Sequence, residues 1–219
     1  YLCIMDLHYG NLNNDQLQDS LKENMFTAYL NEFLDYPYPN FAETTEEVNS
    51  LIRLQENVIN DNDSNELLDF TDLFDSDFSE KGMDLIYKRI GIKKTQSELD
   101  YLYAISQEIG ALLMKLKDIY NRPRPYQVAY YSKQNFYPFP TESGHSPSYP
   151  SGHASQSLMI SKVLSFKYPS KTAELNLIAE EIAFSRLILG CHFPSDNKFG
   201  RFITNEICKK EDIKLKYFS

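Results

Sequence analysis

An all-α bundle is the fold class this sequence predicts, and three observations carry that expectation. Apolar residues recur at three- and four-residue spacing along most of the chain, capping signatures stand ahead of those runs, and no stretch shows the alternation of a half-buried strand. At 219 residues the chain fits one domain over residues 1–219, long enough to bury a core without disulfides or metals as staples.

The elements follow in order. Leu17, Leu21, Met25, Phe26, Tyr29 and Phe33 make one stripe, so residues 14–34 predict a single amphipathic helix. Thr44 and Glu47 read as a capping box for a helix through Val48, Leu51, Ile52, Leu54 and Val58, broken by the polar run Asn60 to Asn65. Helical patterns resume at Leu67 and again near Met83. Thr95 and Glu98 form a second box ahead of a long helix through Leu99, Leu102, Ile105, Ile109, Leu112 and Leu116, which ends near Tyr120 and carries Lys117 on its last turn.

Residues 121–150 hold six prolines among aromatics and predict a structured loop, of a length that usually carries function. Further helices are expected from Ser151 to about Phe166, from Lys171 to Leu189 with Gly190 as the stop, and from Ser195 to Lys210. There is no internal repeat and no low-complexity tract.

Composition narrows the function classes. No apolar run approaches the roughly eighteen residues needed to cross a bilayer, so the chain is expected to be soluble, with no membrane insertion. It begins at Tyr1 rather than Met, which leaves the compartment open: cytoplasmic, or periplasmic or secreted if a leader has been removed. Cys3, Cys191 and Cys208 are odd in number and lack metal-ligand spacing, so they read as free thiols, with Cys191 a small buried residue rather than a nucleophile. Asp61, Asp63 and Glu66 lack the glycine and spacing of a calcium loop, and no metal site is expected.

The net charge of -9 is unevenly spread: residues 1–114 carry -15 and residues 115–219 carry +6. The cations concentrate at Lys115, Lys117, Arg122, Arg124 and Lys133, which suits a local anion site rather than the long stripe of a nucleic-acid surface. Nucleic acid is therefore not expected as a partner. The acidic half would repel polynucleotides and leave a small phosphate ester free to enter a positive cleft.

Three short motifs stand in order: Lys117-x6-Arg124-Pro125, then Pro150-Ser151-Gly152-His153, then Ser185-Arg186-x5-His192-x3-Asp196. Their eleven positions resemble the signature of the superfamily that joins the type 2 phosphatidic acid phosphatases, the bacterial class A acid phosphatases and the vanadium haloperoxidases. Without a spanning segment, the class A acid phosphatases are the nearer comparison. The resemblance implies an all-α, single-domain helical bundle of the acid phosphatase/vanadium haloperoxidase type, with its motifs at helix ends around a common cleft.

The roles it implies are ones these residue types permit. Phosphoryl transfer needs charge neutralised on three equatorial oxygens, with a nucleophile and a leaving-group acid in line. Arg124 and Arg186 offer forked donors that stay charged, and Lys117 adds a point charge. Ser151 and Gly152 sit at a helix start, where free N–H groups, the dipole and the Ser151 hydroxyl favour an anion. His192 would be the nucleophile that forms a phosphohistidine, Asp196 its orienter at Nδ1, and His153 the acid that protonates the leaving alcohol. Lys115 and Arg122 make a second, overlapping K-x6-R-P, and resemblance to the soluble phosphatases favours Lys117 and Arg124.

The function so implied is metal-independent hydrolysis of soluble phosphomonoesters, with a small-molecule phosphate ester as partner and no cofactor. Two alternatives stay open: a vanadium-dependent haloperoxidase, whose motifs are identical though its chains are generally longer, and a catalytically silent phosphate-ligand binder. A homo-oligomer is left open too. His8 and His145 lie outside the motifs and read as structural. Tyr126, Tyr130, Tyr131, Phe136, Tyr137, Phe139 and Tyr149 read either as pocket walls or as packing of the long loop.

Overall fold

The computed structural model describes residue 12 and residues 14–60, 80–141 and 144–219. Cys3, His8, Asp61, Asp63, Glu66 and the helical pattern at Leu67 lie outside them. The helices are α1 (Asn14–Leu21), α2 (Phe41–Asn60), α3 (Glu80–Ile90), α4 (Gln96–Tyr120), α5 (Pro125–Tyr131), α6 (Gly152–Lys167), α7 (Thr172–Ile188), α8 (Pro194–Ile207) and α9 (Glu211–Tyr217), with 3₁₀ turns at Thr27–Phe33 and Pro169–Lys171. Among the described residues every regular element is helical, and the fold is the all-α bundle that the periodicity predicts.

The centre of the bundle is α6, which packs against α4, α7 and α8. It is buried nearly all round, from His153 through Leu164, and so has no polar face. Its small residues let neighbours come close. Ser155 Oγ lies 2.8 Å from Thr204 Oγ1 on α8, the Thr204 hydroxyl donates to Ser155 O at 2.9 Å, and Ser157 donates to Ala179 O on α7 at 3.3 Å. Gly200 is closest of all: a Cβ there would stand 2.4 Å from Ser151 O. That missing side chain is what lets α8 cross the start of α6.

The main core gathers Leu102, Ile105, Ile109 and Leu112 of α4, Met159, Ile160 and Leu164 of α6, Ile178 and Ile182 of α7, and Phe199 and Ile203 of α8. A second, smaller cluster joins Val48 and Leu51 of α2 to Val128 and Ala129 of α5, with Phe136 and Phe193. This cluster sets α2 beside the residue that follows His192.

Four boundaries differ from the sequence expectation, each for a local reason. The predicted helix over 14–34 is α1 followed by a turn and a 3₁₀ segment. Asn24 makes the break: its Oδ1 accepts from the N–H groups of Phe26 and Thr27, and its Nδ2 donates to Glu108 O at 2.8 Å. The start of α2 lies earlier than Thr44, because Asn40 and Glu43 make the reciprocal cap: Glu43 N–H donates to Asn40 Oδ1 at 3.0 Å and Asn40 N–H to Glu43 Oε2 at 2.8 Å. The proline-rich loop contains α5, opened by Pro125 at its first position and by Arg124 N–H donating to Gln127 Oε1 at 2.7 Å. The last helix is two, since Lys210 is extended and Glu211 and Asp212 open a new first turn that sends Ile213 and Tyr217 into the core.

The other ends fall where the sequence puts them. Thr95 and Glu98 cap α4 reciprocally, Ser151 caps α6 by accepting from Ala154 N–H at 3.4 Å, and Gly190 ends the turn after α7 with φ +72°. A side chain at Gly190 would also meet Phe136 Cζ at 2.5 Å. No helix among the described residues is long and apolar enough to cross a membrane.

Candidate functional site

The three motifs meet where α4 ends and α6 and α8 begin. Ser151 N–H donates to Asp196 O at 3.0 Å, which ties the second motif to the third. That bond also corrects an expectation: the Ser151 N–H is taken. The Ala154 N–H is capped by the Ser151 hydroxyl, and Gly152 opens the first turn of α6. His153 is buried on this first turn, and Ser151 is fully buried.

His192 is held at both ring nitrogens. Its Nδ1 lies 3.1 Å from Asp196 Oδ2, and its Nε2 lies 3.1 Å from Arg124 Nη1. The spacing of four residues works because Asp196 is at the third position of α8, where its Oδ2 also accepts from Phe193 N–H at 2.8 Å. The cap of α8 and the partner of His192 are therefore one carboxylate.

Arg124 is buried and its guanidinium is spread over the site. Nε donates to Ser146 O at 2.6 Å, Nη1 to Cys191 O at 2.6 Å, and Nη2 to the Ser146 hydroxyl at 3.2 Å. Lys117, buried on the last turn of α4, donates to Pro147 O at 2.5 Å. Arg186, fully buried on the last turn of α7, donates to the Thr141 hydroxyl at 3.4 Å. The loop before α6 is thus laid over the cations by its own carbonyl and hydroxyl oxygens.

Burial pushes the His192 imidazole well below its ordinary value, and Arg124, Lys117 and Arg186 push it further, with a backbone contact to Ser148 opposing. Three cations from three elements therefore converge on one neutral ring. Burial pulls Arg124 below its ordinary value, and the charge of Arg186 adds to that. Burial pushes the Asp196 carboxyl up, while Arg122, the Phe193 N–H, Arg124 and Lys117 favour its ionised form.

Behind Asp196 lies a group that the motif reading set aside. Arg122 is 1% exposed, and its Nη1 donates to Asp196 Oδ1 at 2.5 Å and to the Ser195 hydroxyl at 2.6 Å. Its Nη2 donates to Thr44 Oγ1 at 3.1 Å and Glu47 Oε2 at 2.8 Å. Glu47 in turn accepts from Ser195 N–H at 2.7 Å and from the Ser195 hydroxyl at 2.8 Å. The Thr44 and Glu47 pair, a capping signature in sequence, is a brace for Arg122. The overlapping motif separates in space: Lys115 pairs with Glu23 at 2.8 Å, whereas Lys117 and Arg124 face His192.

All eight sequence-predicted residues, Lys117, Arg124, Ser151, Gly152, His153, Arg186, His192 and Asp196, belong to these helix ends. Sequence reasoning missed Thr44, Glu47, Ser195, Ser146, Pro147 and Thr141. Only the second K-x6-R-P pointed toward any of this, through Arg122. The aromatics divide: Tyr149 and Phe136 are buried, while Tyr126, Tyr130, Tyr131 and Tyr137 are exposed. His145 is exposed, not packed. Among the described residues no cluster of three or more His, Cys, Asp or Glu side chains is placed to hold a metal ion.

No match is found among curated proteins. Residues 99–205, from the first buried turn of α4 almost to the end of α8, match the family model of the PAP2 superfamily, and that span holds all eleven motif positions.

Proposed function

We propose that this protein hydrolyses soluble phosphomonoesters without a metal, through a phosphohistidine on His192. The single observation that carries the proposal is the setting of His192: a buried ring, hydrogen-bonded through Nδ1 to Asp196, with Arg124 at its Nε2, where burial and the charges of Arg124, Lys117 and Arg186 disfavour its protonated form. A neutral imidazole with its Nδ1 proton directed to a carboxylate presents a lone pair at Nε2. A phosphoryl group held by the three cations would meet that lone pair.

In the first step Nε2 attacks phosphorus, the P–O bond to the alcohol breaks, and His153 gives its proton to the leaving oxygen. The ring becomes a cation as the new bond forms, and Asp196 stabilises it. In the second step water attacks the phosphohistidine, His153 takes the water proton, and the bond to Nε2 breaks. The two arginines and Lys117 neutralise the equatorial oxygens throughout. The domain is read as one unit over residues 1–219, and the substrate as a small phosphate ester.

The test is p-nitrophenol release from p-nitrophenyl phosphate in EDTA from acidic to neutral pH, with and without orthovanadate. Turnover that survives EDTA, is blocked by vanadate and leaves labelled phosphate on His192 after an alkaline denaturing quench supports the proposal. Absence of turnover, with peroxide-dependent halide oxidation once vanadate is added, would overturn it in favour of a haloperoxidase. Phosphate binding with neither activity would make the protein a silent binder.

A further inference from the structure

We propose that Arg122, braced by Thr44 and Glu47 of α2, is a positioning residue that fixes the Asp196 carboxylate and, through it, the His192 ring. This rests on the reading of His192 as the nucleophile, but its geometry can be tested without turnover.

The two oxygens of Asp196 have different partners. Oδ2 takes His192 Nδ1 and the Phe193 N–H, and Oδ1 takes Arg122. The carboxylate plane is therefore held from both ends, in a place with 0% exposure where it has no water to turn toward. Arg122 is itself held in place. Its Nη2 reaches across to Thr44 and Glu47, and its planar group lies 4.0 Å from the centre of the Phe193 ring, a stacking contact that a lysine would not reproduce.

The spacing of the two arginines explains why one segment can serve both ends of the pair. Arg122 and Arg124 each precede a proline, which biases both toward extended backbone, and residues two apart in an extended chain point the same way. Arg124 grips His192 at Nε2, and Arg122 grips Asp196 at Oδ1. Glu47 also holds the Ser195 N–H and hydroxyl, so the same carboxylate that orients Arg122 anchors the first turn of α8. α2 lies outside residues 99–205, so this brace comes from the part of the chain beyond the family match.

An ion pair that merely joined α2 to α8 would be indifferent to the far oxygen of its carboxylate. Here the far oxygen holds the histidine. Without Arg122, Oδ1 would face buried aromatic surface with a net charge to relieve, and the carboxylate would rotate or take up a proton. The groups facing Asp196 are Arg122 and Arg124 from the segment after α4, Lys117 on α4, His192 before α8 and Tyr149 before α6, with Glu47 of α2 behind Arg122.

The experiment combines nitrogen-15 NMR of labelled histidine with steady-state kinetics on Arg122→Gln, Arg122→Lys and Glu47→Gln, with Arg53→Gln on the exposed face of α2 as control. In the wild type the His192 proton is expected on Nδ1. In Arg122→Gln that fixed tautomer should be lost, kcat should fall about 100-fold with a much smaller change in KM, and the acid limb of the pH profile should move up. Arg122→Lys should restore the acid limb, because the charge returns, but not kcat, because the fork does not. Wild-type tautomer and kcat in Arg122→Gln would overturn the proposal and leave an ordinary structural ion pair. If Arg122→Gln does not fold, an unchanged tautomer signal in both Glu47→Gln and Arg122→Lys would overturn it. Should the wild type lack phosphatase activity, the NMR arm still decides, so failure of the proposed function and failure of the positioning role are distinguishable.

Discussion

Arg124 Nη1 stands 3.1 Å from His192 Nε2, and a guanidinium can only donate. With Asp196 Oδ2 in place to accept at Nδ1, the ring is held so that Nε2 is the accepting nitrogen and the ring proton lies on Nδ1. The two hydrogen bonds together select one tautomer and aim its lone pair at the cations. A phosphate entering the site would take over the Arg124 donor and expose that lone pair at the moment of binding.

His192→Ala should therefore abolish turnover, with a loss on the order of 1,000-fold or more in kcat/KM, since nothing else at this position could form the proposed covalent intermediate. Steady-state kinetics with p-nitrophenyl phosphate checks it. Activity near that of the wild type would refute the nucleophile assignment.

Arg124→Lys should keep a positive charge and still lose on the order of 100-fold in kcat. One ammonium cannot reach Ser146 O, Cys191 O and His192 Nε2 from a planar fork as the guanidinium does. The comparison is with Arg124→Ala. If the lysine restores full activity, charge alone matters at this position.

The pH dependence of stability follows from the sign of the His192 shift. Burial and then the three cations hold it well below its ordinary value, so below about pH 6.5 the unfolded chain takes a proton that the folded chain refuses. Unfolding then gains protons, and stability falls as the pH drops through that window, by at most about 1.4 kcal/mol per pH unit from this one group. Urea unfolding near neutral pH and about two units lower should show a smaller loss in His192→Asn than in the wild type. An equal loss would mean that His192 is not buried as a neutral ring. For the same reason the acid limb of the rate profile should lie well below the ordinary histidine range.

Gly200→Ala should destabilise the protein by about 1–3 kcal/mol, because the added methyl would stand 2.4 Å from Ser151 O. Relief requires α8 to move off the start of α6, which strains the bond from Ser151 N–H to Asp196 O. Activity should fall with stability. A variant with the wild-type urea midpoint would show that the two helices can separate freely.

Much of the bundle was legible because its signals are local. The cap at Thr95 and Glu98, the stop at Gly190 and the three-and-four stripe of α4 each depend on residues within one or two turns, so they work the same way in any context. The readings that failed had a local signature answered by a distant partner. Asn24 bends the predicted first helix because it also reaches Glu108 O, 84 residues away in sequence. Thr44 and Glu47 have the spacing of a cap, but their side chains turn inward to an arginine more than seventy residues on, and Asn40 with Glu43 caps the helix instead.

By itself the sequence determined the chemical inventory: two forked cations, a lysine, two histidines and an aspartate at the ends of helices whose periodicity could be read. It also determined that Asp196 could serve His192, since four residues and a helix start are a local geometry. Only the tertiary structure decided which arginine does what. Arg122 and Arg124 are two residues apart and each completes a K-x6-R-P, so the motif itself does not distinguish them; the resemblance favoured Arg124 and gave Arg122 no role. What separates them is the environment that the folded chain brings to each: α2 supplies Thr44 and Glu47 around Arg122, while the loop before α6 supplies Ser146 and His192 faces Arg124. The physical reason is that a buried charge takes its role from the partners packed around it, and those partners come from segments that meet only when the bundle closes.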